Sequence, residues 1–351
     1  MSTEIIKQLI ILIAGFTLLV KGADLFVDGA SGIAKKFGIS ELIIGLTIVA
    51  MGTSAPEAAV SIAAATKGSA GISIGNAIGS NIMNIFIILG VVAAIVPLKI
   101  KRSTVRYEMP FTIIVTVLFV LMGRDGLITR LDGVILWAGL LLYTAYLLRQ
   151  AKQQPEEASA QDAAASANSA ETSSAETAAP VPKDTAQKSN AAAAETAEAV
   201  PAESPSIWKL IALTIAGLAV ILVSSDYAVD AAVALAKIFS ISDRVIGLTI
   251  VALGTSLPEL VTSVTAALRG NADLAVGNVV GSCIFNLLFV LGTSALIMPI
   301  PCAPNFLSDA YVAVGATILL LLFGYTGMKI VRWEGCLLLA CYAAYAYVAL
   351  V

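Results

Sequence analysis

The chain has 351 residues, of which 58% are hydrophobic and 13% charged. A soluble globular protein carries about 25% charged residues, so this composition excludes one. Residues 153–205 contain no Leu, Ile, Phe, Tyr or Trp and hold nine acids against two bases, a net −7. The whole chain is −3, which leaves +4 on the other 298 residues. The acidity therefore belongs to one segment and points to no nucleic-acid partner. There is no histidine, which removes His proton relays, His metal ligands and Ser-His triads. The cysteines, Cys283, Cys302, Cys336 and Cys341, form no CxxC and suggest no thiolate metal site. Without a nucleophile–base pair the chain does not read as an enzyme, and no cofactor is implied.

A spanning helix needs about 20 apolar residues. The first apolar run, 5–27, lacks a small-residue cleavage site and continues as a long helix; it reads as a retained span, not a signal peptide. Further runs fall at 40–65, 71–96, 107–123 and 131–149. Residues 153–205 follow, polar and Ala/Ser/Glu-rich with prolines at 155, 180, 182, 201 and 205. Such a segment cannot bury a core and is expected to be a disordered linker, with transient helix in its Ala-rich parts. Apolar runs resume at 207–236, 242–268, 272–298, 307–325 and 331–350. In lipid the backbone must satisfy its own hydrogen bonds, and these runs are too long and uniform for barrel strands. The expected fold is an all-α polytopic membrane protein with ten transmembrane helices. Residues 1–152 form a first membrane repeat, 153–205 the linker and 206–351 a second repeat.

The two halves repeat each other. Gly45-Leu-Thr-Ile-Val-Ala-Met-Gly-Thr-Ser-Ala-Pro-Glu57 returns 202 residues later as Gly247-Leu-Thr-Ile-Val-Ala-Leu-Gly-Thr-Ser-Leu-Pro-Glu259, and 24 of the 46 positions from 45 to 90 are identical at that offset. The same offset maps Asp24 onto Asp226 and Asp28 onto Asp230. Five spans per half force the halves to enter the membrane in opposite directions, which is the inverted-repeat design of secondary transporters. With the N-terminus outside, fourteen Lys and Arg are cytoplasmic, six are external and Lys21 lies within a span. Both termini are expected to be extracytoplasmic, the linker cytoplasmic and the protein in a bacterial inner membrane.

Glu57 and Glu259 fall mid-span with no Lys or Arg nearby in sequence. A charge at the bilayer centre costs about 2.5–3.5 kcal/mol on insertion scales, so each acid needs a partner, and a bound cation is the nearest one. Pro56 and Pro258 precede the acids; each lacks an N–H and clashes with the carbonyl four residues back, so the helices are expected to break at the midplane. A broken helix exposes carbonyls, and Ala50 and Ala252 are candidates to turn theirs inward. Ser80 and Asn84 are four apart on one helix face, as are Ser282 and Asn286. With Thr53, Ser54, Thr255 and Ser256 these form an all-oxygen set suited to a hard cation such as Ca²⁺. Asp24, Asp28, Asp226 and Asp230 lie nearer the span ends and read as structural, with Lys21 pairing Asp24 or Asp28 or snorkelling.

The paired Gly-Thr-Ser-x-Pro-Glu motifs, each followed by Gly-Asn-x-x-Gly-Ser-x-x-x-Asn, resemble the two α-repeats of the calcium/cation antiporter superfamily, most closely its sodium/calcium exchanger branch. The resemblance covers both halves and is strongest at 45–90 and 247–292. It implies alternating-access exchange of Na⁺ and Ca²⁺. It carries ion-site roles onto Thr53, Ser54, Glu57, Ser80 and Asn84, and onto Thr255, Ser256, Glu259, Ser282 and Asn286. Some members, including potassium-dependent ones, have Asp at the position of Asn286, so its absence here argues against K⁺ co-transport. Sodium-driven Ca²⁺ extrusion is the leading expectation; a proton/calcium exchanger on the same scaffold and a cation channel are the alternatives. The implied partners are inorganic cations as substrates and the lipid bilayer, with no protein partner.

Overall fold

The computed structural model describes residues 2–68, 70–173, 205–239 and 252–350. Most of the linker, and residues 240–251 at the start of the second repeat motif, lie outside them. The first half contains α1 (Ser2–Phe37), the bent pair α2 (Glu41–Thr53) and α3 (Ala55–Thr66), α4 (Gly71–Ile95), α5 (Thr104–Asp125) and α6 (Arg130–Ser173). The second contains α7 (Ile207–Ile238), α8 (Ala252–Thr255), α9 (Leu257–Leu268), α10 (Ala272–Ile297), α11 (Pro304–Gly327) and α12 (Arg332–Leu350). The last helix of the first half runs on into the polar segment as far as Ser173, past the boundary that composition sets at 152.

Among the described residues seven helices are long and apolar enough to cross a membrane, or eight if α2 and α3 count as one broken span. α9 is apolar but short, α12 does not count among the seven, and residues preceding α8 lie outside the described set. The structure thus shows a helical, polytopic membrane protein without itself supplying the count of ten.

Two helices form the centre. In α10, 94% of the most apolar window is buried, and in α4 72%, against 22–44% for the other long spans. The outer helices turn residues such as Leu142 and Val348, 74% and 75% exposed, outward, as a lipid-facing surface requires. Close crossing of α2 and α10 depends on glycine: a Cβ on Gly277 would lie 2.7 Å from the Leu42 carbonyl, and one on Gly45 2.7 Å from that of Leu274. Small residues at a crossing let membrane helices approach backbone to backbone.

Two short antiparallel strand pairs tie the halves together. Leu98–Lys99 (β1) pairs with Lys329–Ile330 (β4), and Leu127–Ile128 (β2) with Ile300–Pro301 (β3). Leu98 faces Ile330 in one pair, and Ile128 faces Ile300 in the other. The 202-residue offset carries Leu98 onto Ile300 and Ile128 onto Ile330, so each pair is the two-fold copy of the other. The internal repeat is therefore a spatial symmetry that extends well beyond the motifs.

Candidate ion site

Pro56 and Pro258 sit in the first turn of α3 and α9, and the chain bends at the residue before each of these helices, Ser54 and Ser256. The axes of α2 and α3 differ by 48°. This is the break that proline's missing N–H and ring clash demand. It does not free the Ala50 carbonyl, which accepts the Ser54 N–H at 3.0 Å. Ala252 opens α8.

The break places both acids in the first turn of a helix, deep inside the bundle. Glu57 is 0% and Glu259 1% exposed. Each carboxylate is held by hydroxyls of the opposite half. The Ser54 hydroxyl donates to Glu259 Oε1 at 2.8 Å and the Ser256 hydroxyl to Glu57 Oε1 at 3.3 Å. Thr53 and Thr255 place further hydroxyls beside Glu259 and Glu57. From its own half, Ser80 donates to Glu57 Oε1 at 3.4 Å and Ser282 to Glu259 Oε1 at 3.5 Å. These contacts obey the same two-fold relation as the strands.

α4 and α10 supply the remaining oxygens. Asn84 and Asn286, 1% and 0% exposed, each begin a widened π-helical turn, Asn84–Ile88 and Asn286–Leu291. Such turns interrupt the regular ladder and recur at functional sites. Among the described residues, Glu57 Oε2, Glu259 Oε2, Asn84 Oδ1 and Asn286 Oδ1 are buried and accept no hydrogen bond. Buried polar atoms are normally paired. Four orphan oxygens, two from each half and two of them on carboxylates, form a coherent acceptor set for a cation.

The structure thus brings together Thr53, Ser54, Glu57, Ser80 and Asn84 with Thr255, Ser256, Glu259, Ser282 and Asn286. It also adds residues that the sequence analysis left out. Asn76 donates to the Glu57 carbonyl at 3.0 Å and to the Ser61 hydroxyl at 2.9 Å; Asn278 donates to the Glu259 carbonyl at 3.4 Å and to Ser263 at 2.9 Å. Asn278 also accepts from Thr53 at 3.0 Å. These amides brace the helix start on which each acid stands. Their signal was present in the repeated Gly-Asn of the motif and in the matching Ser61 and Ser263. Away from the centre, Glu108 is fully buried with both carboxyl oxygens unpartnered beside Tyr143, whose hydroxyl is also unpartnered. Its counterpart in the second half is Ala310, so no repeat marks it.

At the rim, Lys21 lies 4.0 Å from Asp24. Arg269 at the end of α9 bridges Asp24, at 2.7 Å, and Asp28 on α1. The two-fold copies of Arg269, Asp24 and Asp28 are Lys67, Asp226 and Asp230. They are exposed and form no ion pair among the described residues. In parallel, α1 packs along α9, whereas the copy of that contact, α7 along α3, is at most marginal.

Comparison with known proteins gives one answer. The family model described as "Sodium/calcium exchanger protein" matches residues 7–150 and 209–351, leaving out the polar segment. The chain is 38% identical over 342 residues to the "Putative antiporter CaxA" of Alkalimonas amylolytica, covering 96% of this chain and 97% of that protein. It is 36% identical to the "Sodium/calcium exchanger MaX1" of Methanosarcina acetivorans, covering 97% of each. A solved structure of the sodium-calcium exchanger NCX_Mj superimposes with a TM-score of 0.77 at 32% identity, covering 99% of this chain and 100% of that one.

Proposed function

The chain belongs to the sodium/calcium exchanger family, and from that premise we propose that it extrudes Ca²⁺ in exchange for Na⁺ by alternating access. The observation that carries this reading is the set of four orphan oxygens on Glu57, Glu259, Asn84 and Asn286. Two carboxylates balance the charge of one Ca²⁺. Adding several Na⁺ to the same low-dielectric centre would leave excess positive charge, which is strongly unfavourable. Ca²⁺ and a full complement of Na⁺ therefore exclude each other, as exchange requires. The hydroxyls of Thr53, Ser54, Ser80, Thr255, Ser256 and Ser282 orient the acids and complete an oxygen shell. The Ala50 carbonyl, which accepts one backbone hydrogen bond from Ser54, has a second lone pair for the same shell, and Ala252 is its counterpart in the second half.

In this reading the protein crosses a bacterial inner membrane ten times, with both termini outside and the linker in the cytoplasm. Asn at both 84 and 286 keeps the site at two formal charges, so exchange needs no K⁺. The test is uptake of radioactive Ca²⁺ into proteoliposomes under an imposed Na⁺ gradient, with K⁺ replaced by choline on both sides. Robust uptake is expected. Uptake that follows an imposed pH gradient instead would establish proton coupling; collapse without K⁺ would overturn potassium independence; flux without any counter-gradient would point to a channel.

A further inference from the structure

The two half-sites match residue for residue at 53/255, 54/256, 57/259, 61/263, 76/278, 80/282 and 84/286. Beside Ser80 and Ser282, however, the halves differ in a polar side chain: Asn81 in the first half is Cys283 in the second. Both are buried, at 2% and 1% exposure, and they face each other where α4 meets α10. The Asn81 side-chain amide donates to the Cys283 carbonyl at 3.1 Å, and the Cys283 thiol lies 4.0 Å from the Asn81 carbonyl. An exchange of contacts between a residue and its own symmetry copy places the pair on the pseudo-two-fold axis.

The mismatch reaches the ion site through the two asparagines. A carboxamide has an acceptor end and a donor end, and only the acceptor end can serve a cation. Asn286 donates its Nδ2 to Asn81 Oδ1 at 3.2 Å, while its Oδ1 has no partner. Asn81 therefore holds the donor end of Asn286 away and fixes which end is presented. Asn84 faces the Cys283 thiol instead. A thiol sulfur is a weak acceptor, so the amide of Asn84 is held less firmly. Identical ligands thus stand on a stiff support in one half and a compliant support in the other. Outer partners of this kind commonly change metal affinity by about 10–100-fold when removed.

We infer that Asn81 is a positioning residue for the ion site, orienting Asn286, and that Cys283 leaves the Asn84 half-site adaptable. This rests on the antiport reading above. The test compares the wild type, Asn81→Cys, and the exchange double variant Asn81→Cys with Cys283→Asn, all as full-length protein. Two measurements are made: equilibrium binding of radioactive Ca²⁺ to purified protein, and the apparent KM and Vmax of Na⁺-driven uptake. Asn81→Cys is expected to weaken binding and raise KM by about tenfold, with Vmax within twofold. The exchange variant moves the same support to the other half and is expected to recover most of that loss. A simple packing role for Asn81 predicts no such recovery. Unchanged affinity in Asn81→Cys overturns the inference, and so does an exchange variant as weak as the single one. If Asn81→Cys does not fold, the exchange variant still decides: near wild-type affinity supports the inference and a tenfold loss overturns it. Absence of Ca²⁺ binding by the wild type would defeat the ion assignment itself, a result distinct from either.

Discussion

Glu57 and Glu259 have the same flanks, the same burial and the same kind of hydroxyl donors from the opposite half. Lys67 and Arg269 also occupy matching positions, yet Arg269 clasps two aspartates while Lys67 clasps none among the described residues. The centre of the molecule keeps the symmetry of the repeat and the rim breaks it. This difference has a physical logic. A binding site that serves ions arriving from either side is built equally from both halves. Access to it must be unequal in any one conformation, or the ions would leak down their gradients. The sites of secondary transporters lie at the repeat interface, with one repeat or bundle rocking around them. If the protein works by alternating access, as proposed above, the ion pair and the α1–α9 packing mark the clamped side.

The strongest way to break the symmetry of the centre is to remove one charge. Glu57→Gln and Glu259→Gln are each expected to lower Ca²⁺ flux in proteoliposomes by roughly 100-fold or more, since an unbalanced charge in a buried site costs about 3–5 kcal/mol. The two losses should be equal within a small factor. Full flux in either variant, with normal membrane insertion, would show that the acids are not the counter-charge. A milder version removes one hydroxyl. Ser54→Ala and Ser256→Ala delete donors to Glu259 and Glu57, and a hydrogen bond to a charged group contributes about 1.5–3 kcal/mol. A loss of Ca²⁺ affinity of at least about tenfold is expected for both, read from equilibrium binding. A clear inequality between them would mean that the centre is less symmetric than its geometry.

Much of this centre was legible in the sequence because the repeat printed it twice. Glu57 with Pro56, and Glu259 with Pro258, predict a charge at a helix break, and the structure has both. Ser80/Asn84 and Ser282/Asn286 were placed by helical spacing alone. The bracing amides Asn76 and Asn278 were missed because their role depends on which helix lies opposite, and spacing along a single helix cannot give that. The carbonyl of Ala50 was expected to be released, but the turn closes locally through Ser54 N–H. Glu108 was invisible for a different reason: it stands at the start of an apolar run without a repeat partner, where a charge ordinarily faces water. The division of roles between Asn81 and Cys283 became readable only once the structure set them against each other.

The rim can be tested in the same comparative way. Arg269→Gln removes the clasp on Asp24 and Asp28, whereas Lys67→Gln removes no ion pair formed among the described residues. Arg269 is 33% exposed at its side chain, so solvent screens the pair and its contribution is about 1 kcal/mol. That corresponds to a shift of roughly fivefold between the two access states. The measurement is the labelling rate of single cysteines placed on the faces of α3 and α9, from each side of the membrane. Arg269→Gln is expected to raise accessibility on the clamped side, and Lys67→Gln to leave both sides unchanged. Equal responses would mean that the clasp is a passive surface pair.

The smallest effect is expected from the largest change in covalent structure. The family model matches the chain up to residue 150 and again from 209, so the intervening segment lies outside what defines the family. Residues 153–205 of it contain no Leu, Ile, Phe, Tyr or Trp with which to pack on the bundle. Loop closure depends only weakly on length, about 0.6 kcal/mol per doubling. The two halves, moreover, are joined directly by α1 against α7, by α2 against α10 and by both strand pairs. Replacing residues 156–202 with a short Gly/Ser tether is therefore expected to leave the Na⁺-driven Ca²⁺ flux and the Ca²⁺ affinity within about twofold of wild type. If flux falls while affinity and expression hold, the segment acts on the access step, and the asymmetry of the rim would have a source outside the repeats. If affinity falls as well, the halves depend on this segment for their register, and the symmetric centre would not be the work of the repeats alone.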